Sequence, residues 1–257
     1  MMTNNIIAVI SPKGGNGKTT VSANLAVSLA RREPTVIVDL DVHFGDIEYA
    51  LRMKPIHRLD DLVSAVLEDR NDLSGLLSAH PSGLEVLCAP HDPVAADRLN
   101  PLDAFTVVDH LAAQEQPVVL DTAGGISDYS LGALDRARHI VLVCGTDVPS
   151  IQAGRKLLAT MHELEMPLNR VSLVVNRSNA QVGLNVRDVE EALGLSASLL
   201  VPDHPSLAAG MNSGSPVTES SPKSSIAQAF NDFADDLLGM SSGPRRRFLV
   251  LKQGRSS

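Results

Sequence analysis

Seven consecutive residues, Lys13-Gly14-Gly15-Asn16-Gly17-Lys18-Thr19, bring together three glycines, two lysines and a hydroxyl. That combination suits a phosphate chain. Glycine admits backbone dihedrals closed to other residues and allows close approach, so the amides of Gly14 through Lys18 can curl around a β-phosphate. The Lys18 ammonium then lies between the β- and γ-phosphates, the Thr19 hydroxyl ligates Mg²⁺, and Thr20 supports the α-phosphate. An apolar strand ends at Ser11 and a helix begins near Lys18 with no proline before Pro34, so the positive end of the helix points at the same place. Pro12 stands where the common pattern has glycine, which leaves the match incomplete at its first residue. The bland alternative is a glycine turn that binds nothing.

Magnesium chemistry also needs carboxylates at neighbouring strand ends, on the same sheet edge as the loop. Asp121 closes the run Pro117-Val118-Val119-Leu120 and precedes Thr122-Ala123-Gly124-Gly125, a flexible stretch able to sense a γ-phosphate. It is expected to hold Mg²⁺ through water. Many phosphate-loop ATPases place a glutamate directly after such an aspartate to orient the attacking water, but Thr122 occupies that position here. Asp39 and Asp41 follow the run Val36–Val38 two residues apart and so project from one side of an extended backbone. Asp41 is therefore the expected water-orienting residue, and Asp39 a magnesium partner acting through water or a neighbouring ligand. Helix capping or plain solvation is the alternative for this pair.

The elements that must position these groups are legible as two kinds of pattern. Short aliphatic runs recur at Ile6–Ile10, Val36–Val38, Leu84–Leu87, Val118–Leu120, Ile140–Val143, Val171–Val175 and Leu199–Val201. Most are continuously apolar, as strands covered on both faces of a parallel sheet are. Helical periodicity lies between them at Val21–Ala30, Leu59–Leu67, Phe105–Ala113, Ile151–Leu164 and Val186–Leu193, with a last helix at Ile226–Leu238. Strand and helix in alternation predict an α/β fold: a doubly wound, mostly parallel sheet with helices on both faces. Ser213 to Ser225 reads as a surface connection.

The chain has 257 residues, 44% of them apolar, enough for one large domain over residues 1–240. Its net charge of −8 gives the body no broad footprint for nucleic acid. Residues 245–257 are the exception, with five basic residues and no acidic one, and 241–257 is expected to be a flexible tail. The two cysteines, Cys88 and Cys144, lie in apolar runs and are expected to be buried thiols in a reducing compartment. No stretch reaches the ~18 apolar residues of a membrane span, and a cytoplasmic protein is expected.

Residues Lys13 to Thr20 resemble the deviant Walker A motif of the ParA/MinD superfamily of P-loop ATPases, whose mark is a lysine just before the glycine pair. The resemblance runs over nearly all of residues 5–240. It implies that Lys13 reaches across an ATP-sandwich homodimer to the partner's phosphates, a surface lysine being the alternative. It implies that Val38–Asp41 is switch I and Leu120–Gly125 switch II. Asn176 with Arg177, and Pro202 with Asp203, match the two segments that line the adenine pocket, Asn176 offering its amide to the base. Asn176-Arg177-Ser178-Asn179 lacks the carboxylate of guanine-selective relatives, so ATP is favoured over GTP. Within the superfamily, Asp39–Asp46 and Pro81–Pro90 look most like the CpaE/TadZ branch, which positions Tad/Flp pilus machinery; Thr146–Ser150, Gly214–Pro216 and Ser221–Ser224 agree. That branch usually carries a receiver-like domain ahead of the ATPase, and this chain starts at the first strand.

The resemblance thus implies a slow, partner-stimulated, Mg²⁺-dependent ATPase that cycles between monomer and dimer and localises a pilus or secretion assembly. The alternative is a partitioning or division-site ATPase acting on DNA or membrane. A metabolic enzyme or cluster carrier on the same fold fits less well, since a carrier needs cysteines in polar loops. A tyrosine kinase would carry a tyrosine-rich tail, whereas Tyr49 and Tyr129 are the only tyrosines. The tail Arg245–Lys252 mixes basic and apolar residues as a weak peripheral membrane contact would, at the inner membrane or cell pole; a solvated tail is the alternative. Arg155, Lys156 and Arg187 are the candidates for a DNA contact.

Overall fold

The computed structural model describes residues 5–68, 73, 75–180 and 184–240, together with the backbone of Phe248–Leu249. Strands β1 (Ile6–Ile10), β2 (Thr35–Leu40), β3 (Ser78–Ala79), β4 (Leu84–Leu87), β5 (Val118–Thr122), β6 (His139–Cys144), β7 (Val171–Asn176), β8 (Ala197–Val201) and β9 (Phe248–Leu249) form one sheet in the order β3-β4-β2-β5-β1-β6-β7-β8-β9. Every pairing is parallel except β3 with β4. The seven apolar runs of the sequence all fall within strands. The two short edge strands had no pattern to announce them, because two residues cannot show a period. Of the tail 241–257, only the pairing of Phe248–Leu249 along β8 falls within the described residues.

The helices are α1 (Lys18–Ala30), α2 (Ile47–Ala50), α3 (Leu59–Leu67), α4 (Pro93–Arg98), α5 (Pro101–Ala112), α6 (Asp128–Arg136), α7 (Val148–Glu163), α8 (Val186–Leu193), α9 (Pro205–Ser213), α10 (Val217–Ser220) and α11 (Ser225–Leu237). They cover both faces of the sheet, so β1, β2 and β4 to β8 each feed two cores. Along β1, Ile6, Ala8 and Ile10 enter the core shared with α3, α5, α6 and α7, whereas Ile7 and Val9 enter the one shared with α1 and α11. This is why the strands read as unbroken apolar runs. Helix α10 and the turns around it occupy the stretch expected to be a plain connection. Thr218 donates to Asn24 Oδ1 through its amide at 3.1 Å and its hydroxyl at 3.2 Å, which ties that stretch to α1. Among the described residues no helix is long and apolar enough to cross a membrane.

The chain leaves β1 between β5 and β6, the point where strand order reverses. Loops at the carboxyl ends of the strands diverge there and open a crevice.

Candidate functional site

The glycine-rich loop fills that crevice. Gly15 and Gly17 have φ of 79° and 85°, the left-handed region that L side chains rarely adopt. A side chain on Gly17 would also collide with the Asn176 amide. Helix α1 begins with Gly17 as its cap, with no side-chain cap and no acidic residue in its first turn. Helices α4 to α9 and α11, by contrast, are capped by Asp92, Asn100, Ser127, Asp147, Asn185, His204 and Ser224. The first N–H groups of α1 are thus left for an outside acceptor, which suits an anion at the positive end of the helix dipole. Lys18 is buried at the same place, and Thr19 and Thr20 follow it into the helix.

Asp39 and Asp121 meet across β2 and β5 in direct register and are both buried. Burial raises the Asp39 carboxyl well above its usual range, and the charge of Asp121 adds to this. Burial pushes Asp121 up to about 6, against the Ser22 hydrogen bond, the Lys18 charge and the Thr19 hydroxyl. Two such groups favour a cation nearby. Their surroundings separate their tasks, however. The Asp39 oxygens accept from the backbone amides of Asp41 and Ile47, each at 3.1 Å. Asp39 therefore shapes the turn from β2 into α2, and a side chain on Gly45 would strike its carboxylate. Asp121 accepts from Ser22 Oγ at 2.7 Å, which aims it at the start of α1 beside Thr19. Asp121 is thus turned toward the start of α1, and Asp39 toward the turn that follows β2. Asp41 is half-exposed at the rim of this turn, its amide held by Asp39.

Thr122, where a glutamate was absent from the sequence, donates its hydroxyl to the Val9 carbonyl at 3.0 Å and is buried. It is tied into the sheet and has no hydroxyl proton free for a water. The turn after it packs tightly on the phosphate loop. A Cβ on Gly124 would lie 2.5 Å from Gly14 N, and Gly125 N donates to the Ser11 carbonyl at 3.0 Å. Movement of one loop must therefore move the other.

Lys13 reaches sideways. Its Nζ lies 2.9 Å from Asp147 Oδ1, at the cap of α7. Asp147 also accepts from Ser150 N at 2.9 Å and Ser150 Oγ at 2.6 Å. Burial works to raise this carboxyl, but the bonds from Ser150 and Lys13 outweigh it and hold it below its usual value. Ser150 Oγ is also 3.0 Å from the Asn16 amide, whose nitrogen is buried without a partner. One hydroxyl proton cannot serve two acceptors. Turning the amide over lets Asn16 donate to Ser150 and Ser150 to Asp147, a chain in which each of these bonds has a proton. Neither Asp147 nor Ser150 stood out as a site residue in the sequence, although Asp-x-x-Ser ahead of an apolar helix is a capping signal.

The base end of the crevice is framed by the turns after β7 and β8. Asn176 donates to the Asn16 carbonyl at 2.8 Å and accepts from the Arg177 amide at 2.9 Å. Its amide thus braces the phosphate loop and keeps one N–H over for another acceptor. Arg177 takes φ of 52° to turn away from the strand. Asn179 clasps the two turns, its oxygen accepting from Asp203 N at 2.6 Å and its nitrogen donating to the Asp203 carbonyl at 3.4 Å. Pro202 and Asp203 lie in the second turn, beside this clasp. Cys88 and Cys144 are buried, and burial pushes each thiol up to about 12, so neither is a nucleophile at neutral pH.

The model for the CobQ/CobB/MinD/ParA nucleotide binding domain matches residues 7–217. An uncharacterized ATP-binding protein of Methanocaldococcus jannaschii is 29% identical over 91% of this chain and 87% of its own length. The septum site-determining protein MinD of Thermotoga maritima is 23% identical over 97% of this chain and 94% of its own. The solved structure of MinD from Pyrococcus horikoshii complexed with Mg-ADP superposes with a TM-score of 0.80 at 20% identity, covering 93% of this chain and 97% of that one.

Proposed function

This chain belongs to the CobQ/CobB/MinD/ParA nucleotide-binding family, and on that footing we propose that it is an ATP-driven positioning switch, monomeric without ATP and dimeric with it. The observation that carries this reading is the uncapped start of α1 beneath two left-handed glycines, with Lys18 and Asp121 buried beside it. Gly14 to Lys18 bind the phosphates through backbone amides, Thr19 would hold Mg²⁺ directly and Asp121 through water, and Thr20 supports the α-phosphate. A metal held by these residues would supply positive charge to the phosphate chain. Asp41 orients the attacking water, since Thr122 is occupied with the Val9 carbonyl. Asp39 keeps Asp41 in place rather than meeting the metal itself. Arg177, Pro202 and Asp203 surround the adenine, with Asn176 giving its remaining N–H.

Lys13 supplies the signal. Paired with Asp147 in its own subunit it is held in cis; with ATP bound, it crosses to the phosphates of a second copy and completes the charge clamp in trans. Localisation at a division or partitioning site is supported by the MinD relative, whose overall likeness spans nearly the whole chain. A pilus or secretion assembly as cargo is favoured by the phrases Asp39–Asp46 and Pro81–Pro90, which resemble the CpaE/TadZ branch. In either setting the protein works in the cytoplasm, with the basic residues of 245–257, rather than Phe248 and Leu249, which pair with β8, as a weak electrostatic membrane contact that two tails on a dimer strengthen. Nucleic acid is disfavoured by the acidic body.

The test is sedimentation of the Asp41→Ala variant with Mg-ATP. It is expected to form a long-lived dimer and to release phosphate at no more than background rate, because a transition-state group is lost without loss of binding. Turnover at the wild-type rate would overturn the role of Asp41.

A further inference from the structure

Two walls that both start at the nucleotide crevice meet at the far edge of the sheet, beside β3. One is the turn after α2, Leu51 to His57, which continues from the loop anchored by Asp39. The other is the turn from α9 into α10, Ser213 to Glu219, which continues from Pro202 and Asp203. With β3 they enclose a cleft of about 690 Å³, within the range of sites that bury a ligand. The walls are joined backbone to backbone. Arg52 and Gly214 both take positive φ, 50° and 68°, and a Cβ on Gly214 would lie 2.9 Å from the Tyr49 carbonyl oxygen.

The cleft is charged against the trend of the molecule. The side chains of Arg52, Lys54 and His57 line it and have no ion-pair or hydrogen-bond partner among the described residues. Among the described residues Glu219 is its one lining carboxylate, and it is already engaged: Glu219 Oε2 accepts from Ser215 Oγ at 3.0 Å and lies 3.9 Å from His80 Nε2. His80 Nδ1 accepts from Ser82 N at 3.2 Å, so the proton of the neutral ring sits on Nε2, facing Glu219. Ile56 stands at the lip, 86% exposed. Strand β3, at the end of the sheet, has a main-chain edge that pairs with no described strand.

We propose that this cleft docks an acidic, aliphatic peptide segment of a protein partner, its carboxylates on Arg52 and Lys54 and an aliphatic side chain against Ile56. Free cations in a protein of net charge −8 call for an anionic occupant. The apolar lip and open strand edge favour a peptide over a bare anion, since an extended peptide can pair along such an edge. Docking stands on the cleft alone. Its response to nucleotide rests on the switch reading above, because both walls are tethered to the crevice.

A display selection of random dodecapeptides on the nucleotide-free full chain tests this, with counter-selection on R52E/K54E. Enriched peptides should be net negative with Leu, Ile or Val, and the best of them, made synthetically, should bind R52E/K54E about 10-fold more weakly. Its affinity should fall as salt rises. Both variants should bind ATP like the wild type; if R52E/K54E loses its melting transition, K54E/H57E replaces it. Absence of enrichment, neutral or basic winners, or equal binding to the variant would overturn the proposal. Displacement by millimolar inorganic phosphate would also overturn it, in favour of a small-anion site. Equal peptide affinity with ADP and with a slowly hydrolysed ATP analogue would leave the docking intact and remove its link to the switch.

Discussion

Asp39 and Asp121 face each other in register on β2 and β5, each 1% exposed. A parallel sheet places them there because both close apolar strands whose neighbours bury them, and burial raises both carboxyls.

Stability should therefore fall as pH rises. Below about pH 4 folded and unfolded chains alike carry the proton; between about 4 and 6 the unfolded aspartate has ionised while the folded Asp121 still holds its proton, so stability is lost across that window and levels off above it. Asp121→Asn keeps an acceptor for Ser22 and removes the charge. Its apoprotein should melt above the wild type at pH 7.5, by ~3 °C or more, with the gap shrinking at pH 5. A gap independent of pH would show that Asp121 carries no raised pKa.

Much of this arrangement was legible before the fold was known. Seven short aliphatic runs, most of them continuously apolar, named seven of the nine strands, and the ends of β2 and β5 delivered Asp39 and Asp121 to one edge. What the sequence did not disclose was division of labour. Asp39 and Asp41 look alike at period two, yet Asp39 is buried on the amides of Asp41 and Ile47 while Asp41 stands at the rim. Ser22 and Asn24 read as ordinary positions of α1, because their meaning lies in partners 99 and 194 residues away. Helix α6 was missed for a different reason: its apolar residues are few and its face is narrow.

The pair Lys13 and Asp147 leads to a second expectation. Both side chains are more than a third exposed, so their contact adds little stability, and its importance lies in where it holds the lysine. Lys13→Ala should melt within about 1 °C of the wild type and bind ATP, yet sediment as a monomer at ATP concentrations that dimerise the wild type. A normal ATP-dependent dimer would exclude the role in trans.

Ser22 offers a sharper probe of the metal. It touches neither nucleotide nor water in the proposed scheme and acts by aiming Asp121. Ser22→Ala should weaken the apparent Mg²⁺ affinity in the presence of ATP by about 10-fold, as loss of a supporting hydrogen bond does, with metal-free nucleotide binding unchanged. Equal loss with and without Mg²⁺ would mean that Ser22 merely supports α1.

Calorimetric titration of ATP into the purified chain, with and without Mg²⁺, tests the central claim most directly. One nucleotide per chain, bound more tightly with Mg²⁺ and not at all by Lys18→Ala, is the expected result. Absence of Mg²⁺-dependent uptake by the wild type, or equal uptake by Lys18→Ala, would contradict it.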